Sequence, residues 1–431
     1  MNTGRAVEFA QSATIADAPD DVEAHVKARV LDTLAAITAG YRQAGVDIVR
    51  QYARAHLDGG KTTLLDASGD TVAVEGAALA NGVAANALDI DDGHREVKGH
   101  PAAVVVPPAL AAAENVDASI QEFLNAVFVG YELAVRIGLA IHAVDDIYTG
   151  TGSWGALGAA AATARLFAFS PEQMAHALGV AEYHAPRTPI MRGVENPGMT
   201  KDGIGWGAYT GVVSAQLAGA GFTGSGTVFD EASVGDTLGE VFHVTKGYLK
   251  PYPCCRWAQP GVEAVLTLVS RYDIDPESVE SVRIATFEKA THLQTRQPAT
   301  PEDAQYSYAY PVAAALTRER FTQAEHAESA RTDPEILAAT ERVEFVVDDA
   351  LDEQFPGECL ARVTVETSEE TYRSDVTRSR GARDAPLSVD VRLQKARRLI
   401  SPTFSEAVVE RLADTLERES ASVTRLLAPW Q

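Results

Sequence analysis

The sequence predicts a mostly α-helical protein, with a large all-helical domain followed by a smaller α/β lid domain. In the first half, apolar residues such as Val26, Val30 and Leu34 recur at helical spacing. Small residues dominate several of these segments, which favours helices that pack closely in a bundle. After Lys250 the pattern changes to β-branched runs that mix apolar and polar residues, as half-buried strands do.

The elements follow from this spacing in chain order. The clearest predicted helices cover residues 21–37, 120–140 and 156–167. The longest uncharged run, 203–229, is long enough to span a bilayer, but its glycines and polar residues make it too polar for that. The predicted strands cover residues 279–287, 343–347 and 363–367.

The last part of the chain is expected to return to the first domain. A helix after Pro402 carries an apolar stripe formed by Val408, Val409, Leu412 and Leu416. The predicted parts are therefore a helical domain over 1–249, an α/β lid domain over 250–398 and a returning C-terminal helix in 399–431.

The composition predicts a soluble, cytoplasmic protein, since nothing in it resembles a signal peptide or a strongly apolar run of membrane-spanning length. The 431 residues carry a net charge of -23, which argues against nucleic-acid or membrane-surface partners. With 8 lysines against 29 arginines, the acidic and lysine-poor chain fits a halophilic, salt-rich cytoplasm. An acidic protein from ordinary salinity is the alternative.

The cysteines and glycines predict no metal or cofactor. Cys254, Cys255 and Cys359 are too few for a disulfide framework, and their spacing matches no zinc or iron–sulfur site. No base lies beside them in sequence, so a thiolate nucleophile is not expected. The run 150–155 resembles a dinucleotide fingerprint only loosely, because no apolar strand precedes it.

Residues that carry protons are concentrated in segment 87–101, which holds four carboxylates, two histidines, an arginine and a lysine. If the small-residue helix predicted over 77–88 continues through this point, Asp89 and Asp92 lie on one face and point into a shared cleft. A solvated acidic turn is the alternative.

Five segments, in this order, resemble the MmgE/PrpD family, which includes 2-methylcitrate dehydratase, cis-aconitate decarboxylase and iminodisuccinate epimerase. They are the run 87–92 followed by His100 and Pro101, the run 155–162, Lys201 ahead of a small-residue helix, and the runs 250–255 and 307–310. The resemblance implies a helical domain, an α/β lid, a homodimer and an interdomain cleft. It also implies metal-independent action on a small di- or tricarboxylate.

By this resemblance, Asp89, His100, Lys201, Lys250 and Tyr310 fall on active-site positions of the family. Other positions differ from the family's pattern, and one extra residue precedes the second histidine of the motif. Gly93 replaces a threonine of the decarboxylase-like members, Gln259 replaces a histidine of some members, and Tyr148 or Thr149 stands near another usual histidine. The reaction itself is therefore not carried over.

Removing a proton beside a carboxylate builds negative charge on that carboxylate, so the site needs a base and fixed cations. His100 is the predicted base because imidazole titrates near neutrality, and His94 is the predicted acid for a leaving hydroxyl. Either Asp89 or Asp92 is expected to orient a histidine through its second ring nitrogen, with helix capping as the alternative.

The cations are expected to bind substrate carboxylates or to stabilise the developing charge. Lys201 and Lys250 are assigned to this role, with a surface lysine as the alternative for Lys250. Arg187, Arg192 and Arg256 are candidates because arginine binds carboxylates bidentately, with surface salt bridges as the alternative. The substrate-binding candidates are His94, Arg95, Lys98, Arg187, Arg192, Arg256 and Gln259.

Tyr148 and Tyr310 are the remaining candidate proton carriers, with hydrogen-bonded core tyrosines as the alternative. The leading prediction is a dehydratase-type lyase acting on a small hydroxylated carboxylate such as 2-methylcitrate. An epimerase with His100 and Tyr148 as its two bases, or a decarboxylase, is the alternative. A non-catalytic carboxylate-binding protein is a third reading, suggested by Gly93 and Gln259.

Overall fold

A computed structural model describes residues 2–145, 147–231 and 237–431. Helices dominate these residues and the sheets are small, which confirms the mostly α prediction. The helices of the first part are α1 (Thr3–Ser12), α2 (Asp20–Gly40), α3 (Ala44–His56), α4 (Val74–Asn86), α5 (Pro101–Asn115), α6 (Ile120–Asp145), α7 (Thr151–Leu166), α8 (Pro171–His184), α9 (Met191–Glu195) and α10 (Ile204–Gly219). The short strands of this part are β1 (Thr62–Thr63), β2 (Thr71–Val72), β3 (Asp92–Gly93) and β4 (Tyr248–Leu249).

Helix α7 packs against α5, α6, α8 and α10, and small residues allow this close approach. A Cβ atom on Gly158 would lie 2.5 Å from the carbonyl oxygen of Gly130 in α6. A Cβ atom on Gly211 of α10 would lie 2.4 Å from the Cβ atom of Ala159. Larger side chains at these positions would force the helices apart, so the small-residue runs have the packing role predicted for them.

Helix α6 is apolar and long enough to cross a membrane, with a mean hydropathy of 1.6 over 18 residues. The sequence interpretation found no such run and is wrong on this point. Inside the protein 78% of that window is buried, because neighbouring helices surround it. Its apolar character is that of a core helix.

The second part contains a five-stranded sheet. Its strands are β5 (Val279–Thr286), β6 (Val343–Val347), β7 (Leu360–Thr367), β8 (Thr371–Arg373) and β9 (Thr377–Arg378). The order is β6-β5-β7-β8, with β9 also on β7; β5 and β6 are parallel and the other pairs are antiparallel. The helices of this part are α11 (Gln259–Tyr272), α12 (Pro301–Gln305), α13 (Ala309–Arg318), α14 (Glu328–Arg331), α15 (Pro334–Glu341) and α16 (Asp349–Asp352). Val282 and Ile284 of β5 are buried while Arg283 is exposed, which is the half-buried alternation predicted for this strand.

The C-terminal helices pack on the first part. They are α17 (Val389–Ile400), α18 (Ala407–Leu416) and α19 (Val423–Leu427). Helices α17 and α18 contact α2, and α19 contacts α5. The four residues of the predicted stripe are buried in one apolar cluster with residues of the first part. The contact already begins with α17, most of which the sequence interpretation grouped with the α/β domain.

Candidate active site

A cavity of about 300 Å³ lies between the helical part and the α/β part. Residues 89–202 contribute one wall and residues 248–359 contribute the other. The predicted site residues that line it are Asp89, His94, Arg95, Lys98, His100, Tyr148, Lys250 and Arg256. The fold therefore gathers charged residues from distant segments into one cleft.

The acidic motif, residues 87–92, forms a buried turn directly after α4, which ends at Asn86. Asp89 has a φ of 52°, in the left-handed region that a helix interior does not use. The prediction that the helix continues and places Asp89 and Asp92 on one face is therefore wrong. Asp92 instead begins β3 and pairs with Leu249 of β4. This pairing sets the turn beside Lys250.

Two lysines neutralise the carboxylate of Asp89. The Nζ atom of Lys250 lies 2.9 Å from Oδ2 of Asp89, and that of Lys201 lies 3.6 Å from Oδ1. Burial alone would raise the pKa of Asp89, but the ammonium groups of Lys250 and Lys201 hold it well below its usual value. Lys201 does not line the cavity. Its ammonium lies 4.7 Å from the centre of the Tyr306 ring and donates to Oε1 of Gln305.

His100 sits just before α5 with its ring fixed by acceptors. Its Nδ1 atom lies 2.6 Å from the carbonyl oxygen of Asp92 and 3.2 Å from Oδ2 of Asp91, and its Nε2 atom lies 3.8 Å from Oδ2 of Asp202. Burial lowers the pKa of His100, but Asp91 and Asp202 outweigh it and raise the pKa to about 9. The imidazolium form is thus favoured at neutral pH, which suits an acid rather than the predicted base.

The orienting carboxylate is Asp91, which is neither of the two predicted candidates. Asp92 performs the alternative role, because its Oδ1 atom accepts a hydrogen bond of 3.0 Å from the backbone N–H of Ala102 and so caps α5. Burial raises the pKa of Asp92 to about 6.

His94 is buried, and neither of its ring nitrogens has a hydrogen-bond partner among the described residues. Its ring centre lies 5.3 Å from that of His243. Burial, together with His243 and Arg29, lowers the pKa of His94 well below 6.5. The imidazole is therefore neutral at neutral pH, which is the form that can accept a proton, so the charges favour the opposite of the predicted assignment for the two histidines.

Three cations in the cavity wall lack an ion-paired carboxylate among the described residues: Lys98, Lys289 and Arg256. Arg256 lies 4.2 Å over the ring of Tyr248 and donates to the 379–380 segment. Arg95 also lines the cavity, but it is already paired with two carboxylates. The three unpaired cations are therefore the groups available to a carboxylate ligand.

Tyr148 lines the cavity with its hydroxyl donating to the carbonyl oxygen of Lys98. Burial and Asp202 raise the pKa of Tyr148 well above 10. Tyr148 is therefore a hydrogen-bond donor at neutral pH and a poor base.

Two predicted residues lie in the protein core instead of the cavity. Tyr310 is buried and its hydroxyl donates to the carbonyl oxygen of Glu325 at 2.6 Å. Gln259 is also buried and donates to the carbonyl oxygens of Tyr252 and Cys254 at 3.1 and 3.0 Å. Oε1 of Gln259 accepts from the hydroxyl of Ser379, so the side-chain polar groups of both residues are occupied inside the protein and both assignments are corrected to structural roles.

Two predicted arginines also lie outside the cavity. Arg187 forms ion pairs with Asp145 and Glu182 near the surface, which is the salt-bridge alternative considered for it. Arg192 is exposed on α9 and does not contribute to the cavity wall.

Sequence reasoning missed several wall residues. Asp202 follows Lys201 directly and Asp91 lies inside the acidic motif, so both carried a local signal. Tyr248, Lys289, Tyr306 and Cys359 carried none, because only the tertiary fold brings their segments to the cleft. Burial raises the pKa of Cys255 to about 12 and that of Cys359 to about 11, so neither cavity cysteine forms a thiolate near neutral pH.

Comparisons with known proteins agree with this architecture. The MmgE/PrpD N-terminal domain matches residues 5–238 and the MmgE/PrpD C-terminal domain matches residues 252–418. A cis-aconitate decarboxylase from Aspergillus terreus is 24% identical, over 96% of this chain and 92% of that protein. A cis-aconitate decarboxylase-like protein, oryM, from Aspergillus oryzae is 25% identical, over 82% of each chain. With both of its domains matched, the chain belongs to the MmgE/PrpD family.

Proposed function

We propose that the protein is a lyase acting on a small di- or tricarboxylate, and that it dehydrates a hydroxylated substrate by removing a proton beside a carboxylate. One observation carries this proposal. The cavity combines a charged His100 and a neutral His94 with cations that have no carboxylate partner within the part of the chain that the structure describes. A dehydratase needs such a set of acid, base and anion-binding groups.

The three unpaired cations support a substrate with more than one carboxylate. Lys98 and Lys289 are compact charges on flexible side chains, whereas Arg256 adds a charge that its hydrogen bonds to Ser379 and Arg380 hold in place. In a chain with a net charge of -23, repulsion from the bulk surface would disfavour an anion outside this cleft. The local cations give the anion a favourable place to bind.

The acid and base roles follow from the charges of the two histidines. His94 accepts the proton from the carbon beside the carboxylate, and the electrons of that C–H bond form the C=C bond. His100 donates its proton from Nε2 to the leaving hydroxyl, so the C–O bond breaks and water departs. Asp91 and Asp202 favour the charged form of His100 before this transfer.

Decarboxylation is the second candidate, and the names of the two Aspergillus relatives support it. In that reaction the C–C bond electrons remain on the substrate carbon as carbon dioxide leaves. His100 then protonates that carbon, and no base is required. The epimerase alternative has weaker support, because the raised pKa of Tyr148 makes it a poor second base.

The test is an NMR assay in deuterium oxide with a panel of citrate, 2-methylcitrate, malate and cis-aconitate. Loss of water supports the dehydratase, and H94Q and H100Q are each expected to reduce it by about 10²-fold or more. Release of carbon dioxide that survives in H94Q supports the second candidate. H184Q is the matched control, because His184 is exposed and outside the cavity.

Two outcomes contradict the lyase proposal. Deuterium exchange without loss of water or carbon dioxide indicates an epimerase. Stabilisation by these acids without any turnover or exchange indicates a binding protein.

Four further expectations stay predictions: the homodimer, the cytoplasmic location, the adaptation to high salt, and action without metal or cofactor. Light scattering in concentrated potassium chloride measures the oligomeric state. Unfolding curves at low and high salt test the adaptation to high salt, since screening relieves the self-repulsion of an acidic surface.

A further inference from the structure

Two consecutive carbonyl oxygens of the acidic turn are held by lysines from distant segments. Lys250 donates to the carbonyl oxygen of Asp89 at 3.0 Å. Lys395 donates to the carbonyl oxygen of Ile90 at 2.7 Å. Lys395 belongs to α17, which contributes no residue to the cavity wall.

Lys395 forms a buried ion pair with Asp32 of α2. The Nζ atom of Lys395 lies 2.7 Å from Oδ1 of Asp32, and their side chains are 3% and 5% exposed. Burial lowers the pKa of Lys395 and raises that of Asp32, so each group needs the other in order to remain charged. A buried ion pair often stabilises a fold no more than apolar residues of similar volume would, which points to a different use of this one.

The carbonyl group of Ile90 belongs to the peptide unit that leads into Asp91. A hydrogen bond to that oxygen fixes the orientation of the peptide plane, because the unit is planar. The carboxylate of Asp91 in turn lies 3.2 Å from Nδ1 of His100. The chain of contacts therefore runs from Lys395 through one peptide unit to His100.

We propose that Lys395, held by Asp32, is a positioning residue that fixes the Ile90–Asp91 peptide and so places the Asp91 carboxylate against His100. Its importance for turnover rests on the proposed function, in which His100 is the acid. The positioning itself is measurable without any substrate.

Three accounts of Lys395 predict different behaviour of His100. The charged groups that face His100 are Asp91, Asp202, Lys250, Asp89 and Asp92. Loss of positioning would loosen the ion pair with Asp91 and lower the pKa of His100 from about 9. If Lys395 acted only as a nearby cation, its removal would raise the pKa of His100. If it only stabilised the fold, the pKa would not change.

The decisive variant is the double substitution D32N/K395M, which removes the ion pair as a unit and leaves no buried unpaired charge. The single variant K395M is measured beside it. The control is K27M. Lys27 lies on α2, as Asp32 does, and pairs with Glu23 and Glu417 at 2.6 Å without contacting the turn. Circular dichroism verifies that each variant is folded.

The measurement is a pH titration of histidine-labelled protein by ¹H–¹³C NMR, with the His100 signal assigned from its loss in H100Q. The His100 midpoint is expected to fall by about one pH unit or more in D32N/K395M and to stay unchanged in K27M. An unchanged or raised midpoint in the folded double variant overturns the proposal. If the protein has no lyase activity, the proposed function fails but this titration still decides the positioning.

Where turnover is found, a second readout applies. The double variant is expected to lower kcat by about 10-fold or more with little change in KM, because Lys395 does not reach the substrate. A rise in KM alone, with kcat kept, contradicts the positioning role.

Discussion

The Nδ1 atom of His100 lies 3.2 Å from Oδ2 of Asp91, and this ion pair keeps a buried imidazole charged. Burial lowers the pKa of His100, yet the neighbouring carboxylates raise it from 6.5 to about 9. A group whose pKa is raised by folding stabilises the protein fully below its unfolded pKa. That contribution is lost as the pH rises through the folded pKa, so the window for His100 runs from about pH 6.5 to about 9.

The first prediction concerns this window. The unfolding free energy of the wild type should fall relative to that of H100Q, by up to about 3 kcal/mol, as the pH rises from about 6.5 to about 9. Urea unfolding of both proteins at several pH values measures the difference. Curves that stay parallel across the window would show that His100 is not held in its charged form.

The second prediction concerns Lys250, whose ammonium neutralises Asp89 inside the protein. K250M leaves a buried carboxylate with only the more distant Lys201, so we expect a loss of about 3–5 kcal/mol in unfolding free energy. The double variant D89N/K250M should be more stable than K250M, because it removes both charges. Denaturant unfolding is the measurement.

K246M is the control for this pair, since Lys246 forms an ion pair with Glu96, whose side chain is 48% exposed. Its removal should cost less than about 1 kcal/mol. Equal stability of K250M and K246M would contradict the buried neutralisation of Asp89.

Much of the fold could be predicted because its signals are local. The helical spacing of apolar residues in α2 and the alternation in β5 are local patterns, and both elements were expected from them. The end of α4 was missed, because the small apolar residues continue to Leu88 while the backbone turns at Asp89. A positive φ at an aspartate leaves no clear mark in the sequence.

The candidate site was predictable where one motif carries several groups, as with His94 and His100. Roles were harder to predict, because a histidine's charge depends on partners that the fold supplies. His100 gains Asp202 from a segment about 100 residues away, and this helps to make it an acid. The choice of Tyr310 failed for a related reason: it lies within α13, whereas Tyr306 precedes that helix and faces the cleft.

The third prediction tests the unpaired cations. Lys98 is exposed and lines the cavity without a carboxylate partner among the described residues. We expect K98M to raise KM for the carboxylate substrate by about 10-fold or more, with little loss of stability, because it removes one anion-binding charge. Steady-state kinetics and thermal unfolding measure the two effects. K61M is the control, since Lys61 is an exposed lysine outside the cavity. An equal KM for both variants would show that Lys98 does not bind the substrate.

The fourth prediction explains why a glycine stands where decarboxylase-like relatives were expected to have threonine. A Cβ atom on Gly93 would lie 2.4 Å from Cζ of Tyr248, whose ring packs under Arg256 at 4.2 Å. G93A should therefore displace the ring and with it the guanidinium, costing about 1–3 kcal/mol of stability and raising KM. In a Y248A background the same substitution should cost much less, because the clash is gone. A double-mutant cycle of unfolding free energies measures this coupling, and additive effects would show that Tyr248 does not determine the residue at position 93.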